Sequence, residues 1–128
     1  MKILLLEPNR LLAQQYCSYL TAKGYEVMWR EDAQAGIVAA DEQNPDIVIV
    51  ELLLAGHSGV EFLYEFRSYT DWVKVPAIVL SSVAKDAVGV PMNTFVELGV
   101  NAYLYKPSTS LAQLNRAIKR ALLIQKQS

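Results

Sequence analysis

Four stretches of the sequence place chemically capable side chains directly after apolar runs. Glu7 follows Ile3-Leu4-Leu5-Leu6, and Glu51 follows Ile47-Val48-Ile49-Val50. Ser81 and Ser82 follow Ala77-Ile78-Val79-Leu80, and Lys106-Pro107 follows Ala102-Tyr103-Leu104-Tyr105. Each alone is an ordinary polar residue at a strand-to-loop junction. Together, two carboxylates, a hydroxyl and an ammonium can converge on one cleft. Other chemistries lack their parts. His57 is the only histidine and has no clustered cysteine or histidine partner, so it makes no zinc site and reads as an exposed loop residue. Ser81-Ser82 has no base nearby in the chain, which argues against a hydrolase triad. No G-x-G-x-x-G run follows a strand, so the dinucleotide fingerprint is missing.

The elements that must carry these residues alternate in period. Short β-rich runs occur at Ile3 to Leu6, Glu26 to Arg30, Ile47 to Val50, Ala77 to Leu80 and Ala102 to Tyr105. Between them, helical spacing relates Leu12, Tyr16, Tyr19 and Leu20, a helix closed by Lys23-Gly24. Ala33 to Glu42 reads as an alanine-rich helix stopped by Asn44-Pro45-Asp46. Val60, Phe62, Leu63 and Phe66 mark a third helix, and Phe95, Val96 and Leu98 a short fourth closed by Gly99. Leu111, Leu114, Ile118 and Leu122 mark the fifth, with Ser110 as N-cap, and Lys126-Gln127-Ser128 reads as a frayed end. The runs 47–50 and 77–80 are continuous rather than alternating, as expected of parallel strands buried on both faces. Five β-α units predict an α/β fold, a doubly wound five-stranded parallel sheet of flavodoxin-like (βα)5 type, forming one domain over 1–128. In such sheets, ligands bind beyond the carboxyl ends of the strands, where the strand order reverses. All four polar stretches lie at those ends.

Composition narrows the classes further. With 52% hydrophobic and 20% charged residues, the balance is that of an ordinary globular domain. A net charge of -1 gives no electrostatic footprint for nucleic acid or an anionic membrane. Lys119, Arg120 and Lys126 read as cations complementing the dipole of the last helix rather than as a nucleic-acid contact. The single cysteine, Cys17, permits no intrachain disulfide and reads as a small packed residue. No apolar run reaches membrane-spanning length, and the apolar start is too short for a signal peptide, so the expected compartment is cytoplasmic. Trp29 and Trp72 are each open to two readings, a core cover or a partner contact.

Five stretches together resemble the receiver domain of two-component response regulators. Lys2 to Asn9 looks like the first strand and its acidic loop, and Pro45 to Glu51 like the third strand ending at a phospho-acceptor. Gly56-His57-Ser58-Gly59 is similar to the following loop, Ala77 to Ser81 to the fourth strand and its hydroxyl, and Gly99 to Pro107 to the fifth strand with its aromatic, lysine and proline. The resemblance implies that Glu51 stands at the acceptor position and Glu7 in the acidic pocket. It implies that Ser81 and Lys106 fill the roles that bind phosphoryl oxygens. Tyr103 would be the aromatic that swings inward, Pro107 would follow a cis peptide, and Leu53 would offer a backbone carbonyl to any metal. It further implies a protein partner, a histidine kinase or downstream effector, meeting a face built from the fourth helix, Tyr103, Tyr105 and the fifth helix. A homodimer is a further possibility, and no enzymatic activity is expected.

The acids depart from the family pattern. Glu51 replaces the acceptor aspartate, Pro8 stands where a second acid would, Ala55 replaces a common proline, and about three extra residues fall within Val83 to Pro91. Mg²⁺ requires near-octahedral oxygen ligation at about 2.0–2.1 Å, so Glu7, Glu51 and Leu53 are weak candidate ligands and no cofactor is expected. A methylene displaces the acceptor oxygen by about 1 Å, a misplacement that can cost roughly 100-fold in phosphoryl transfer. The expectation is a pseudo-receiver working without phosphorylation, in which Glu51 reaches toward Ser81 and Lys106 where a phosphoryl oxygen would sit. The alternatives are a conventional receiver with weak Mg²⁺-dependent acceptor activity and a flavodoxin-like FMN-binding protein. For the latter, Glu7-Pro8-Asn9-Arg10 is a poor phosphate loop.

Overall fold

The computed structural model describes residues 1–91 and 93–127. Its strands are β1 (Lys2–Leu6), β2 (Glu26–Arg30), β3 (Ile47–Val50), β4 (Ala77–Ser81) and β5 (Val100–Tyr105). Its helices are α1 (Arg10–Ala22), α2 (Ala33–Gln43), α3 (Gly59–Ser68), α4 (Thr94–Glu97) and α5 (Leu111–Gln127). The strands are all parallel in the order β2-β1-β3-β4-β5. The chain leaves β1 toward one edge and returns past it to β3, so the order reverses between β1 and β3. Glu7 and Glu51 follow these two adjacent strands, and their amides extend the ladder: Glu7 N–H donates to the Arg30 carbonyl at 3.1 Å and Glu51 N–H to the Leu6 carbonyl at 3.0 Å.

The sheet is buried on both faces, as the unbroken apolar runs require. On one side Leu4, Leu6, Val48, Val50 and Val79 pack under α2 and α3 with Phe62, Leu63 and Phe66. On the other, Ile3, Leu5, Ile47, Ile49 and Ile78 pack under α1 and α5 with Leu20, Leu114 and Ile118. Each fully buried Leu, Ile or Phe contributes about 1.5–3 kcal/mol of transfer free energy. Trp72 belongs to this core: it is buried and stacks on Phe66 at 4.9 Å between centroids. Cys17 is packed against the α1/α5 cluster, and burial pushes its thiol up, as expected for an inert cysteine.

Local signals set the boundaries. Asn9 caps α1, its Oδ1 accepting from Leu12 N–H at 3.0 Å, and Asp32 caps α2 through Ala35 N–H at 2.8 Å. Ser58 and Glu61 form a reciprocal capping box at α3. Ser110 Oγ likewise accepts from Gln113 N–H while Gln113 Oε1 accepts from Ser110 N–H, bearing out Ser110 as the cap of α5. One sequence expectation is corrected here. The fifth helix runs on through Gln127 rather than fraying from Lys126, and Ser128 lies outside the described residues. The fourth helix is short, a single turn closed at Gly99 as expected, with Phe95 and Leu98 buried and Val96 75% exposed.

Candidate acid pocket

Glu51 reaches the pocket because α3 begins almost on top of the chain that follows β3. Gly59 N–H donates to the Leu52 carbonyl at 2.9 Å, and a Cβ on Gly59 would stand 2.5 Å from the Glu51 carbonyl oxygen and 2.8 Å from Leu52 Cα. Only glycine allows that approach. The Glu51 carboxylate is turned inward and is 2% exposed. Its Oε1 lies 2.7 Å from Lys106 Nζ and accepts from Ser82 N–H at 3.1 Å and Ser82 Oγ at 3.3 Å. Its Oε2 accepts from Ser81 Oγ at 2.5 Å and from Leu53 N–H at 3.1 Å.

Lys106 is shared. Its Nζ also lies 2.6 Å from Glu7 Oε1, and Glu7, 1% exposed, uses Oε2 to accept from Asn9 N–H at 3.0 Å. The result is a Glu7–Lys106–Glu51 triad of formal charge -1, whose surplus charge is spread over two amides and two hydroxyls at Glu51. Burial pushes the Glu51 carboxyl up, but hydrogen bonds from Lys106, Ser81, Leu53 and Ser82 outweigh it and hold the group below the ordinary carboxylate value. Burial pulls the Lys106 ammonium down, and its bonds to Glu51 and Glu7 reverse that, leaving it above the ordinary lysine value. Among the described residues no buried side-chain nitrogen or oxygen lacks a hydrogen-bond partner. The polar groups expected to converge at the strand ends are thus satisfied by one another.

Tyr103 is half-buried beside this cluster. Its hydroxyl donates to the Val83 carbonyl at 2.5 Å, and its ring meets Phe95 of α4 edge-on at 5.2 Å. Burial pushes its phenol up. Tyr105, two residues on and so on the same face of β5, is 39% exposed. Pro107 lies in a 3-10 turn, Lys106–Ser108, closed by Thr109 N–H to the Lys106 carbonyl at 3.2 Å. The expectation of a cis peptide before Pro107 is not met, since the described peptide bonds are all trans and this turn closes without one. Leu53 enters through its N–H, which donates to Glu51 Oε2 at 3.1 Å. His57 stands apart on the surface, 2.9 Å from Glu61 Oε2.

Ser82, at the same strand end as Ser81, matters as much, because both its amide and its hydroxyl face Glu51. Two further participants are not evident from strand-end spacing. Trp29, one of the two ambiguous tryptophans, donates from Nε1 to the Glu7 carbonyl at 2.8 Å and so fixes the loop carrying that acid. Arg67 left no mark in the sequence. Its guanidinium donates to the carbonyls of Leu98 (2.7 Å), Trp72 (2.8 Å), Val73 (3.4 Å), Val75 (2.6 Å) and Gly99 (3.2 Å), tying the start of β5 to the chain entering β4.

With this geometry in view, comparison with known proteins is informative. The family model for the response regulator receiver domain matches residues 3–119. The chain belongs to the receiver domain family. Among characterised receivers it is 28% identical over 120 residues to the KDP operon transcriptional regulatory protein KdpE of Escherichia coli (strain K12), covering 94% of this chain and 50% of that protein. It is 33% identical over 104 residues to the transcriptional regulatory protein KdpE of Mycobacterium tuberculosis (strain H37Rv), covering 79% of this chain and 43% of that protein. The chain thus spans about half the length of these regulators. Among solved structures, the CheY-like receiver domain protein of Methanospirillum hungatei JF-1 superposes with a TM-score of 0.86 at 20% identity, covering 98% of this chain and 96% of that one. The five-stranded receiver fold is thereby established.

The resemblance raises Mg²⁺, and the donor set can be tested against it. Mg²⁺ wants several hard oxygens in an octahedron. Here both carboxylates are committed to Lys106, Pro8 offers no side-chain oxygen, and the described residues contain no group of three or more acids, histidines or cysteines placed to hold a metal. The residues present do not fit the ion.

Proposed function

We propose that residues 1–128 form a pseudo-receiver: a signalling domain of a two-component or phosphorelay pathway that acts through protein contacts without phosphorylation of Glu51. One observation carries this reading. The Glu51 carboxylate accepts from Ser81 Oγ and Lys106 Nζ, the groups that the family resemblance assigns to phosphoryl oxygens. The side chain at the acceptor position thus engages the phosphoryl-binding groups itself. Tyr103, turned toward the loop after β4 and packed on Phe95, supports a single, active-like arrangement of the face made by α4, β5 and α5. That face is the proposed contact for a kinase or effector partner. The conventional-switch alternative would require Glu51 to release Lys106 and a metal to enter beside it. The FMN alternative gains no support, because Glu7 is a buried anion in the loop where a phosphate would sit. A cytoplasmic location is part of this proposal, by analogy with the family. Among the described residues no helix is long and apolar enough to cross a membrane.

Magnesium titration followed by NMR tests the loss of the metal site. The wild-type chain is expected to show no saturable shift at residues 7, 51 and 53. The double variant Pro8→Asp, Glu51→Asp, which restores a second acid and shortens the acceptor, is expected to bind. An unchanged titration in that variant would mean that binding was lost for another reason.

A further inference from the structure

The loop between β4 and α4, where the sequence runs longer than the family pattern, is apolar. Val83, Ala84, Ala87, Val88 and Val90 occupy a surface connection of a kind that is usually polar. Val88 and Val90 pack against the core, yet both stay half-buried. The chain after β3 presents Leu53, 58% exposed, beside the buried Leu52. A cavity of about 330 Å³ lies between these two loops. Leu52, Leu53 and Val60 line it from the segment joining β3 to α3, and Val83, Val88 and Val90 from the loop after β4. Among the described residues, no charged side chain and no residue of α4, β5 or α5 lines it. Its one polar side chain is Ser58, whose Oγ accepts from Glu61 N–H at 3.1 Å and so keeps its own proton to donate. The two walls also hold the acid pocket. Leu53 N–H donates to Glu51 Oε2 at 3.1 Å, Val83 N–H donates to Ser81 Oγ at 3.1 Å, and the Val83 carbonyl accepts from Tyr103.

We propose that this cavity binds a small, uncharged aromatic molecule carrying one hydrogen-bond acceptor. The lining decides the class. An ionised ligand would give up its hydration against side chains that offer no counter-charge. The volume decides the size. An apolar cavity of about 150 Å³ holds benzene, so one about twice as large admits a fused pair of rings. The Ser58 hydroxyl selects an acceptor on that ligand. A recess of this size does not seat a second copy or a folded partner, whose interface would need about 1,000 Å². Binding stands on the cavity alone. That the occupied cavity serves as the input of the domain, acting on Glu51 and Tyr103 through Leu53 and Val83, rests on the phosphorylation-independent reading above.

The test is an NMR titration of the isotope-labelled chain with 2-acetylnaphthalene, a bicyclic ketone. Saturable shifts are expected at the methyls of Leu52, Leu53, Val60, Val83 and Val88, with half-saturation below about 1 mM. The shifts are expected to reach Ser81 and Tyr103. Ala87 lines the cavity and is exposed, so Ala87→Phe is expected to fill the space and weaken binding about tenfold. Ser58→Gly removes the donor while keeping a tolerated cap residue, and is expected to weaken binding about three- to tenfold. 2-Naphthoate, the same rings with a carboxylate, is expected to bind at least about tenfold more weakly than the ketone. The site would be overturned by no saturable shift at about 1 mM ketone, by binding indifferent to Ala87→Phe, or by naphthoate binding as tightly. Shifts confined to the cavity, with Tyr103 unmoved, would overturn its role as input. The two readings fail separately: a phosphorylated Glu51 would sink the pseudo-receiver with the ketone still bound, and an empty cavity would leave the magnesium titration as expected.

Discussion

At the scale of single residues, the pocket depends on one ammonium balancing two buried carboxylates. Removing a partner from a buried ion pair leaves an uncompensated charge, at a cost of about 3–5 kcal/mol. Lys106→Met is therefore expected to lower unfolding free energy by about that amount at neutral pH in urea titration; a loss below about 1 kcal/mol would show that Glu7 and Glu51 tolerate each other unaided. Glu51 also fixes a pH dependence. Its carboxyl is held below its ordinary value of 4.5, so its stabilisation is present above that pH and is lost as pH falls through the lowered value. Lys106 is held above its ordinary 10.5, so its contribution is present below that pH and is lost as pH rises through the raised value. The stability difference between wild type and Glu51→Gln should thus be flat across neutral pH and shrink as pH is lowered from about 5 toward 3. A difference that grows on acidification would contradict the lowered carboxyl.

At the scale of elements, two devices hold the site in place. One is the glycine contact between α3 and the chain after β3. Gly59→Ala would drive a Cβ into backbone atoms rather than into a flexible side chain. The other is Arg67, which gathers carbonyls from the 72–75 segment and from residues 98–99, and so sets where α4 ends and β5 begins. Leaving such acceptors without their charged donor costs about 2–3 kcal/mol. Arg67→Ala is expected to destabilise by that amount, with faster amide exchange at the start of β5; a loss under about 0.5 kcal/mol would show that water replaces the guanidinium. These elements also mark what was legible in the sequence. Continuous apolar runs marked the inner strands β3 and β4, because burial on both faces leaves no alternation, whereas the half-exposed edge strands β2 and β5 were legible from their β-rich composition and spacing. The pocket's acids, hydroxyl and lysine were legible because each ends a strand. Arg67 was not, since the backbone carbonyls it gathers are anonymous in a sequence. The trans peptide before Pro107 depends on how the following turn closes, which composition does not reveal.

At the scale of the whole molecule, the receiver fold brings its acid pocket and its proposed contact face together through β5. Lys106 directly follows that strand, Tyr103 points toward α4, and Ala102 and Leu104 pack under α5. In a switching receiver, a phosphoryl group would couple the two. Here Glu51 links β3 to the end of β5 through Lys106, the contact that on the proposed reading takes the place of the phosphoryl group. Regulators that resemble this chain extend to about twice its length. Incubation of the purified chain with acetyl phosphate and Mg²⁺, followed by intact-mass measurement, tests the central claim most directly. The expected mass is that of the unmodified protein; a gain of one phosphoryl group, mapped to Glu51, would contradict it.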